Sequence, residues 1–246
     1  MRVAALYDVH GNLPALEAVL ADVETVGADA VVVGGDIAIG PMPRRSLERL
    51  LDLGERALFL RGNGDREIAA DHTEAGHDPW VERTRWSAGQ LGPGDRAWLA
   101  ALPGTQSVDV DGLGRVLFCH GSPRSDDEIL TAISSEERVA EALSGIDEAV
   151  VVCGHTHVQF DRRVAGRRLV NAGSVGMPYE ARPGAYWAIL GPDVELRRTE
   201  YDLETAAAAI RESGFPDAEE FAAENVLTVP SAEEATAQFE AAARDG

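Results

Sequence analysis

Short apolar runs that end in polar residues set the rhythm of this chain. Val3-Ala4-Ala5-Leu6 comes first, bounded by Gly11 and Pro14, and predicts a buried strand followed by a helix from about Ala15. Leu13, Leu16, Val19, Leu20 and Val23 then recur at helical spacing, with Pro14 in the first turn, where a missing amide is tolerated. Ala30-Val31-Val32-Val33 is a continuous run of the kind expected for a strand covered on both faces. A helix over residues 44–53 and a strand at Ala57-Leu58-Phe59-Leu60 follow. Three β–α units in about 65 residues predict a sheet that begins mostly parallel.

The pattern changes over residues 67–102, which read as helical and loop-like and hold Trp80, Trp86 and Trp98. The plainer expectation is that these rings anchor helices on the sheet; the sharper one is a cap over the site or a subunit contact. Alternation resumes at 107–110 and 116–119, separated by Asp111-Gly112-Leu113-Gly114, which predicts an antiparallel hairpin. A helix over 135–143, capped by Ser134 or Ser135 and carrying Glu136 and Glu137 in its first turn, leads to a strand at 149–153. Short strands are then expected at 159–164, 167–170, 185–190 and 194–198. A β–α half followed by a strand-rich half predicts an α/β fold of two sheets packed face to face, with helices outside.

Residues 201–246 differ in composition, with 11 acidic residues against 2 basic ones and 13 alanines. Their few apolar anchors predict an acidic, Ala-rich helical extension packed loosely on the outside of the main 1–200 domain. This stretch contributes -9 to a net charge of -20. So acidic a chain disfavours nonspecific contact with nucleic acid or anionic membrane, and a phosphate-bearing ligand must be drawn in by local cations. All 22 basic residues are arginine, which excludes Schiff-base lysine chemistry and a P-loop lysine. Cys119 and Cys153 read as small packed residues, not a disulfide framework. With an N-terminus that runs straight into a strand and no apolar run near 20 residues, the expected location is cytoplasmic, with no membrane span.

The polar residues at the predicted strand ends are Asp8, His10, Asp36, Asn63, His120, His155 and His157, which include four of the six histidines. A strand places residues i and i+2 on one side, so Asp8 and His10 can converge on one point. Two carboxylates, an amide oxygen and four imidazoles make a shell suited to two divalent transition metals.

Asp8-x-His10, Gly35-Asp36, Gly62-Asn63-Gly64-Asp65, His120-Gly121 and Gly154-His155-Thr156-His157 resemble the ordered motifs of the calcineurin-like metallophosphoesterases. Asn171-Ala172-Gly173-Ser174-Val175-Gly176 resembles the segment that follows in the small bacterial and archaeal phosphodiesterase-like branch. The resemblance implies a four-layer αββα sandwich. It implies that Asp8, His10 and His157 hold one metal, that Asn63, His120 and His155 hold the other, and that Asp36 bridges them. It implies hydrolysis of a phosphate ester by in-line attack of a metal-bridging hydroxide, with no protein nucleophile, and names Asp36, Asn63, Asp65 and His120 as the catalytic set. The cofactors implied are two divalent ions, manganese first, with Fe, Zn, Ni or Co as alternatives that these ligands also accept.

One position departs from the pattern. Many relatives carry His after the Asn, paired with the following Asp, and here Gly64 stands there with Asp65 retained. A missing proton donor costs roughly 10²–10⁴-fold for poor leaving groups. His72 or His77 could replace it; otherwise the ester has a good leaving group. Members of the small bacterial branch also lack that histidine and act mostly on phosphodiesters, so the resemblance implies a phosphodiesterase acting on a small phosphate ester or nucleotide. The alternatives are a phosphomonoesterase, either a protein phosphatase or a nucleotide-polyphosphate hydrolase, and a non-catalytic scaffold on the same fold. Arg66 and Arg124 are placed to grip phosphate or to form surface salt bridges, and Asn12 to bind phosphate or to cap a helix. The oligomeric state is open, a homo-oligomer included.

Overall fold

The computed structural model describes residues 1–70 and 78–245. In chain order the first unit runs β1 (Val3–Leu6), α1 (Leu13–Val26), β2 (Ala30–Val33), α2 (Pro43–Leu51) and β3 (Ala57–Phe59). Three helices follow: α3 (Asn63–Ala69), α4 (Pro79–Gln90) and α5 (Pro93–Ala100). The second unit holds β4 (Thr105–Val110), β5 (Gly114–Cys119), α6 (Glu136–Ala142), β6 (Val150–Cys153), β7 (Phe160–Val164) and β8 (Arg167–Asn171). The chain ends with β9 (Ala185–Leu190), β10 (Val194–Thr199), α7 (Leu203–Arg211), α8 (Ala218–Ala222) and α9 (Ala232–Asp245).

Two five-stranded mixed sheets result, ordered β10-β9-β1-β2-β3 and β4-β5-β6-β8-β7. β1, β2 and β3 are parallel, as are β5, β6 and β8, while β9 runs antiparallel to β1. The last hairpin thus returns to the first sheet although it follows the second unit in sequence. Strand alternation cannot reveal this, because the choice of sheet is made by long-range pairing.

Period-2 side chains sort the layers. Val3, Ala5 and Tyr7 point between the sheets with Val32, Val116, Phe118 and Val152, whereas Ala4 and Leu6 point outward under the helices. The Tyr7 hydroxyl donates to the Val152 carbonyl at 3.0 Å and so ties one sheet to the other. α1, α2, α4, α5 and α7 cover the first sheet through residues such as Leu16, Leu47, Ala88, Leu99 and Ile210, and α6 covers the second through Val139 and Ala142. Trp86 and Trp98 pack edge-to-face on Phe215 and Phe59, the anchoring role, while Trp80 is 36% exposed. Among the described residues no helix is long and apolar enough to cross a membrane.

The C-terminal segment corrects an expectation. It is not loosely applied: Ala206, Ala207, Ile210, Phe215, Phe221 and Val226 are buried in the core of the first sheet. Small alanines let α7 approach closely, so few large anchors are needed. α9 then reaches the other half of the molecule, where Glu240 is hydrogen-bonded to Thr131, Ser134 and Arg138.

Candidate metal centre

The C-terminal ends of β1, β2, β3, β5 and β6 open on one side of the molecule, and the loops leaving them carry the polar set. Backbone bonds hold these loops together, with the amides of Asp8, His10 and Gly11 donating to the carbonyls of Gly35, Asp36 and Ile37. The parallel ladder therefore continues past β1 and β2 and delivers Asp8, His10 and Asp36 side by side. The 171–176 segment buttresses them from the second sheet. Ser174 Oγ and the Gly176 amide donate to the Asp8 carbonyl, and Asn171 Nδ2 donates to the Gly154 carbonyl and to Thr156 Oγ1.

This packing forces an unusual backbone. Among the described residues seven non-glycine positions have positive φ, and five are Asp8 (52°), His10 (46°), Asp36 (51°), His155 (66°) and His157 (57°). Such conformations cost of order 1–3 kcal/mol each and persist where the surroundings over-determine them, as at ligand-holding sites. Ordinary strand-end turns would use glycine there.

The side chains converge. Asp8 Oδ1 lies 3.3 Å from His157 Nε2, 3.7 Å from His120 Nε2 and 3.8 Å from His10 Nε2. Asp36 turns one oxygen to His120 Nε2 at 3.6 Å and the other to His10 Nε2 at 3.9 Å. Two triads with ion-holding spacing follow, Asp8-His10-His157 and Asp8-Asp36-His120. Ligands about 2.1 Å from a shared ion stand roughly 3–3.5 Å from one another, close to these separations. The triads share Asp8, whereas the sequence reading gives the bridge to Asp36; Asp36 nevertheless faces both sides. The His155 ring stands beside His120, with centroids 5.3 Å apart, and its backbone amide donates to Asp8 Oδ2.

The hydrogen-bond inventory supports a cation. Asp8 Oδ1, Asn63 Oδ1 and His120 Nε2 are buried without a hydrogen-bond partner among the described residues, and His157 Nε2, which faces Asp8, meets only His10 Nε2 at 3.1 Å. Leaving such atoms unsatisfied costs about 1–3 kcal/mol each, and a cation would satisfy the oxygens and the lone pairs together. His10 Nδ1 donates to the Ile39 carbonyl and His120 Nδ1 to the Gly34 carbonyl, which leaves each Nε2 lone pair aimed inward. The donor set thus fits two divalent ions.

Electrostatics reflect the crowding. Burial pushes Asp36 up but is outweighed by His120, whose charge 3.6 Å away holds it well below the usual carboxylate range. Burial likewise raises Asp8, and His157 and then His120 draw it down. His120 moves the other way: burial lowers it, but Asp36 and Asp8 raise it to about 10, so its Nε2 carries a proton that a bound cation would displace. Burial, with His157 beside His10 and His120 beside His155, lowers these two imidazoles to about 4, so they stay neutral and able to ligate.

Gly64 has a geometric reason. Its amide donates to Asp36 Oδ1 at 2.7 Å, and a Cβ would stand 2.7 Å from Ile39 and 3.0 Å from Asp36 Oδ1. Gly62 is tighter still, since a Cβ there would stand 2.2 Å from Asp36 Oδ1. The loop is closed down on Asp36, and a larger residue would push it away.

The other expected site residues are differently employed. Asp65 is fully enclosed, and its two oxygens accept the amides of Ile37 and Gly62 at 2.9 and 3.0 Å, with burial and nearby Asp36 raising it to about 7. It shapes the loops instead of facing a substrate. Asn12 caps α1 through the Ala15 amide and donates to the Gly176 carbonyl, the helix-capping alternative. Arg66 is paired with Asp126 and Asp127, and Arg124 with Glu128 and Glu141, the salt-bridge alternative. His72 and His77 lie outside the described residues. Cys119 and Cys153 are free, buried, and pushed up by that burial, which makes them packing groups.

Two residues that sequence reasoning did not bring to the site are there. The Tyr179 ring packs on His157 with centroids 4.8 Å apart, and Phe239 of α9 lies 6.3 Å from both Tyr179 and His155. Phe239 is visible in the sequence only as an apolar anchor, and nothing local says what it covers.

Comparison with known proteins agrees with this geometry. The profile of the calcineurin-like phosphoesterase superfamily domain matches residues 1–192. The chain is similar to a metallophosphoesterase of known crystal structure from Sphaerobacter thermophilus, at 30% identity and TM-score 0.73, over 92% of this chain and 99% of that one. The crystal structure of a hypothetical protein from Pyrococcus horikoshii OT3 superposes with TM-score 0.77 at 22% identity, over 90% and 97% of the two chains. An uncharacterized protein from Methanocaldococcus jannaschii is 24% identical over 235 residues, 87% of this chain and 94% of that protein.

Proposed function

This chain belongs to the calcineurin-like phosphoesterase superfamily, and we propose from that premise that it hydrolyses phosphodiesters with two divalent cations, manganese foremost. The observation that carries this reading is the set of buried, unpartnered donor atoms on Asp8, Asn63 and His120, gathered from both sheets. Asp8, His10 and His157 would hold one ion; Asp36, Asn63, His120 and His155 would hold the other, with both carboxylates facing the pair. When bound, such ions supply a water-derived nucleophile at neutral pH and neutralise charge on phosphorus.

The chain's own part is preorganisation. The Ile39 and Gly34 carbonyls fix the imidazole tautomers, the Gly64 amide holds Asp36, and Asp65 locks the loops that carry both. No thiol or hydroxyl has to attack, which agrees with the buried, protonated cysteines. The preference for diesters rests on the resemblance to the small bacterial and archaeal phosphodiesterase-like branch, which likewise lacks a histidine at the position of Gly64; without that proton donor, esters with a good leaving group of either kind are favoured.

The test compares turnover of bis(4-nitrophenyl) phosphate with that of 4-nitrophenyl phosphate under added Mn²⁺, alongside metal analysis of the purified chain. Faster hydrolysis of the diester and about two ions per chain are expected. A monoester that reacts much faster would discard the diester preference, and failure to take up any transition metal would discard the enzyme.

A further inference from the structure

The cavity next to the metal centre is lined mainly by the C-terminal segment. Its volume is about 370 Å³, and its walls include Arg83, Met177, Tyr179, Asn225, Gln238 and Phe239. That volume falls within the usual range for small-molecule pockets. Tyr179 and Phe239 belong at once to this cavity and to the rim of the site, because Tyr179 packs on His157 and Phe239 lies near His155.

Its chemistry is selective. The two rings and Met177 offer apolar, polarizable surface, and the amides of Asn225 and Gln238 offer donors and acceptors. Arg83 is already paired with Asp217 and Glu220, and Glu220 and Glu224 also line the cavity. The surplus of carboxylates repels a second phosphate, so the cavity suits an uncharged flat group and not a polyphosphate tail.

The position of Phe239 is set by its neighbour. Glu240 is only 7% exposed, and its Oε1 accepts from Thr131 Oγ1 at 2.5 Å, Ser134 Oγ at 2.9 Å and Arg138 Nη2 at 2.5 Å. Those three partners lie between β5 and β6, the strands whose ends supply His120, His155 and His157. The latch therefore references α9 to the same half of the molecule that carries these histidines.

Taking the metal-centre reading above as given, we propose that Tyr179 and Phe239 form an aromatic subsite, held by the Glu240 latch, that receives the flat organic group of the phosphate ester. The acidic C-terminal segment then selects substrates, while the strand-end residues serve any ester that fits. Glu240 is a positioning residue in this scheme and touches no substrate.

The experiment measures binding of phenylphosphonate and methylphosphonate to the full chain by calorimetry, each with and without Mn²⁺. Wild type should bind the phenyl compound on the order of tenfold more tightly, the preference expected from burying one ring. Phe239→Ala should bring the ratio to about two or three, and Phe239→Tyr should restore it. Glu240→Gln should lower the ratio while leaving Mn²⁺ uptake in equilibrium dialysis unchanged. A wild-type ratio near one, or a ratio unmoved by Phe239→Ala, overturns the subsite; if that variant does not fold, an unmoved ratio in Glu240→Gln does so. Because the ratio cancels the phosphonate contribution, it judges the subsite even if Mn²⁺ strengthens neither ligand, the outcome that would reject the metal-centre reading instead.

Discussion

Two sets of polar residues leave neighbouring strand ends and meet opposite fates. Asp8, Asp36, His120 and His157 are buried, three of them on positive-φ backbone, and Asp8, His120 and His157 keep buried atoms unpartnered. Arg66 and Arg124, close by in sequence to Asn63 and His120, are partly exposed, and each is paired with two carboxylates. A functional set is recognised by what remains unsatisfied after folding, whereas a charged residue that has found local partners has spent its capacity on structure. In a chain of net charge -20, an arginine readily finds a carboxylate partner, and proximity in sequence to a motif is weak evidence of a ligand contact.

The strongest test of this contrast removes a carboxylate from the buried cluster. Asp36→Ala should abolish Mn²⁺-dependent hydrolysis, by roughly 10³-fold or more, and lower metal stoichiometry. Residual activity near wild type would show that the buried cluster is merely tolerated. Next comes Gly64→Ala, whose added carbon meets Ile39 and Asp36. Here kcat/KM should fall about 10- to 100-fold with weaker Mn²⁺ affinity, read from steady-state kinetics across a metal titration.

An intermediate case sharpens the comparison. Glu180 is largely buried and accepts the Gln159 amide at 2.6 Å, and burial, opposed by that bond, raises its carboxyl to about 7. A raised carboxyl is protonated more readily in the fold than in the unfolded chain. Its contribution therefore favours the fold at low pH and is lost as pH rises from about 4.5 toward 7. Allowing for the solvent that still reaches it, the loss is about 1–2 kcal/mol. Glu180→Gln should gain about that much over wild type in urea unfolding at pH 8 and little at pH 4.5; an equal effect at both pH values would refute the assignment. The smallest effect belongs to Arg124→Ala. Activity on phosphate esters should stay within about twofold, because the side chain serves Glu128 and Glu141, and a large rise in KM would return it to the substrate site.

Much of this was legible in advance because it depends on local order. The β–α alternation of the first 60 residues, the hairpin at Asp111-Gly112, the Ser135 cap of α6 and the bunching of histidines after apolar runs are patterns a few residues long. Asp65 was legible as part of a motif but not in its role, since only the fold brings the Ile37 and Gly62 amides to its two oxygens. The division of Asn12 between phosphate and helix cap was open for the same reason.

The amino-acid order alone determined which side chains stand at strand ends, since a strand's length and period follow from neighbouring residues. Only the tertiary structure decided that β9 and β10 return to the first sheet and that Asp8 is shared between the two triads. It alone set Phe239, some 80 residues beyond His155, within 6.3 Å of that imidazole. The physical reason is that these placements come from pairings and packing between distant segments, whose free energy is a sum over the whole core and leaves no mark in any short stretch of chain.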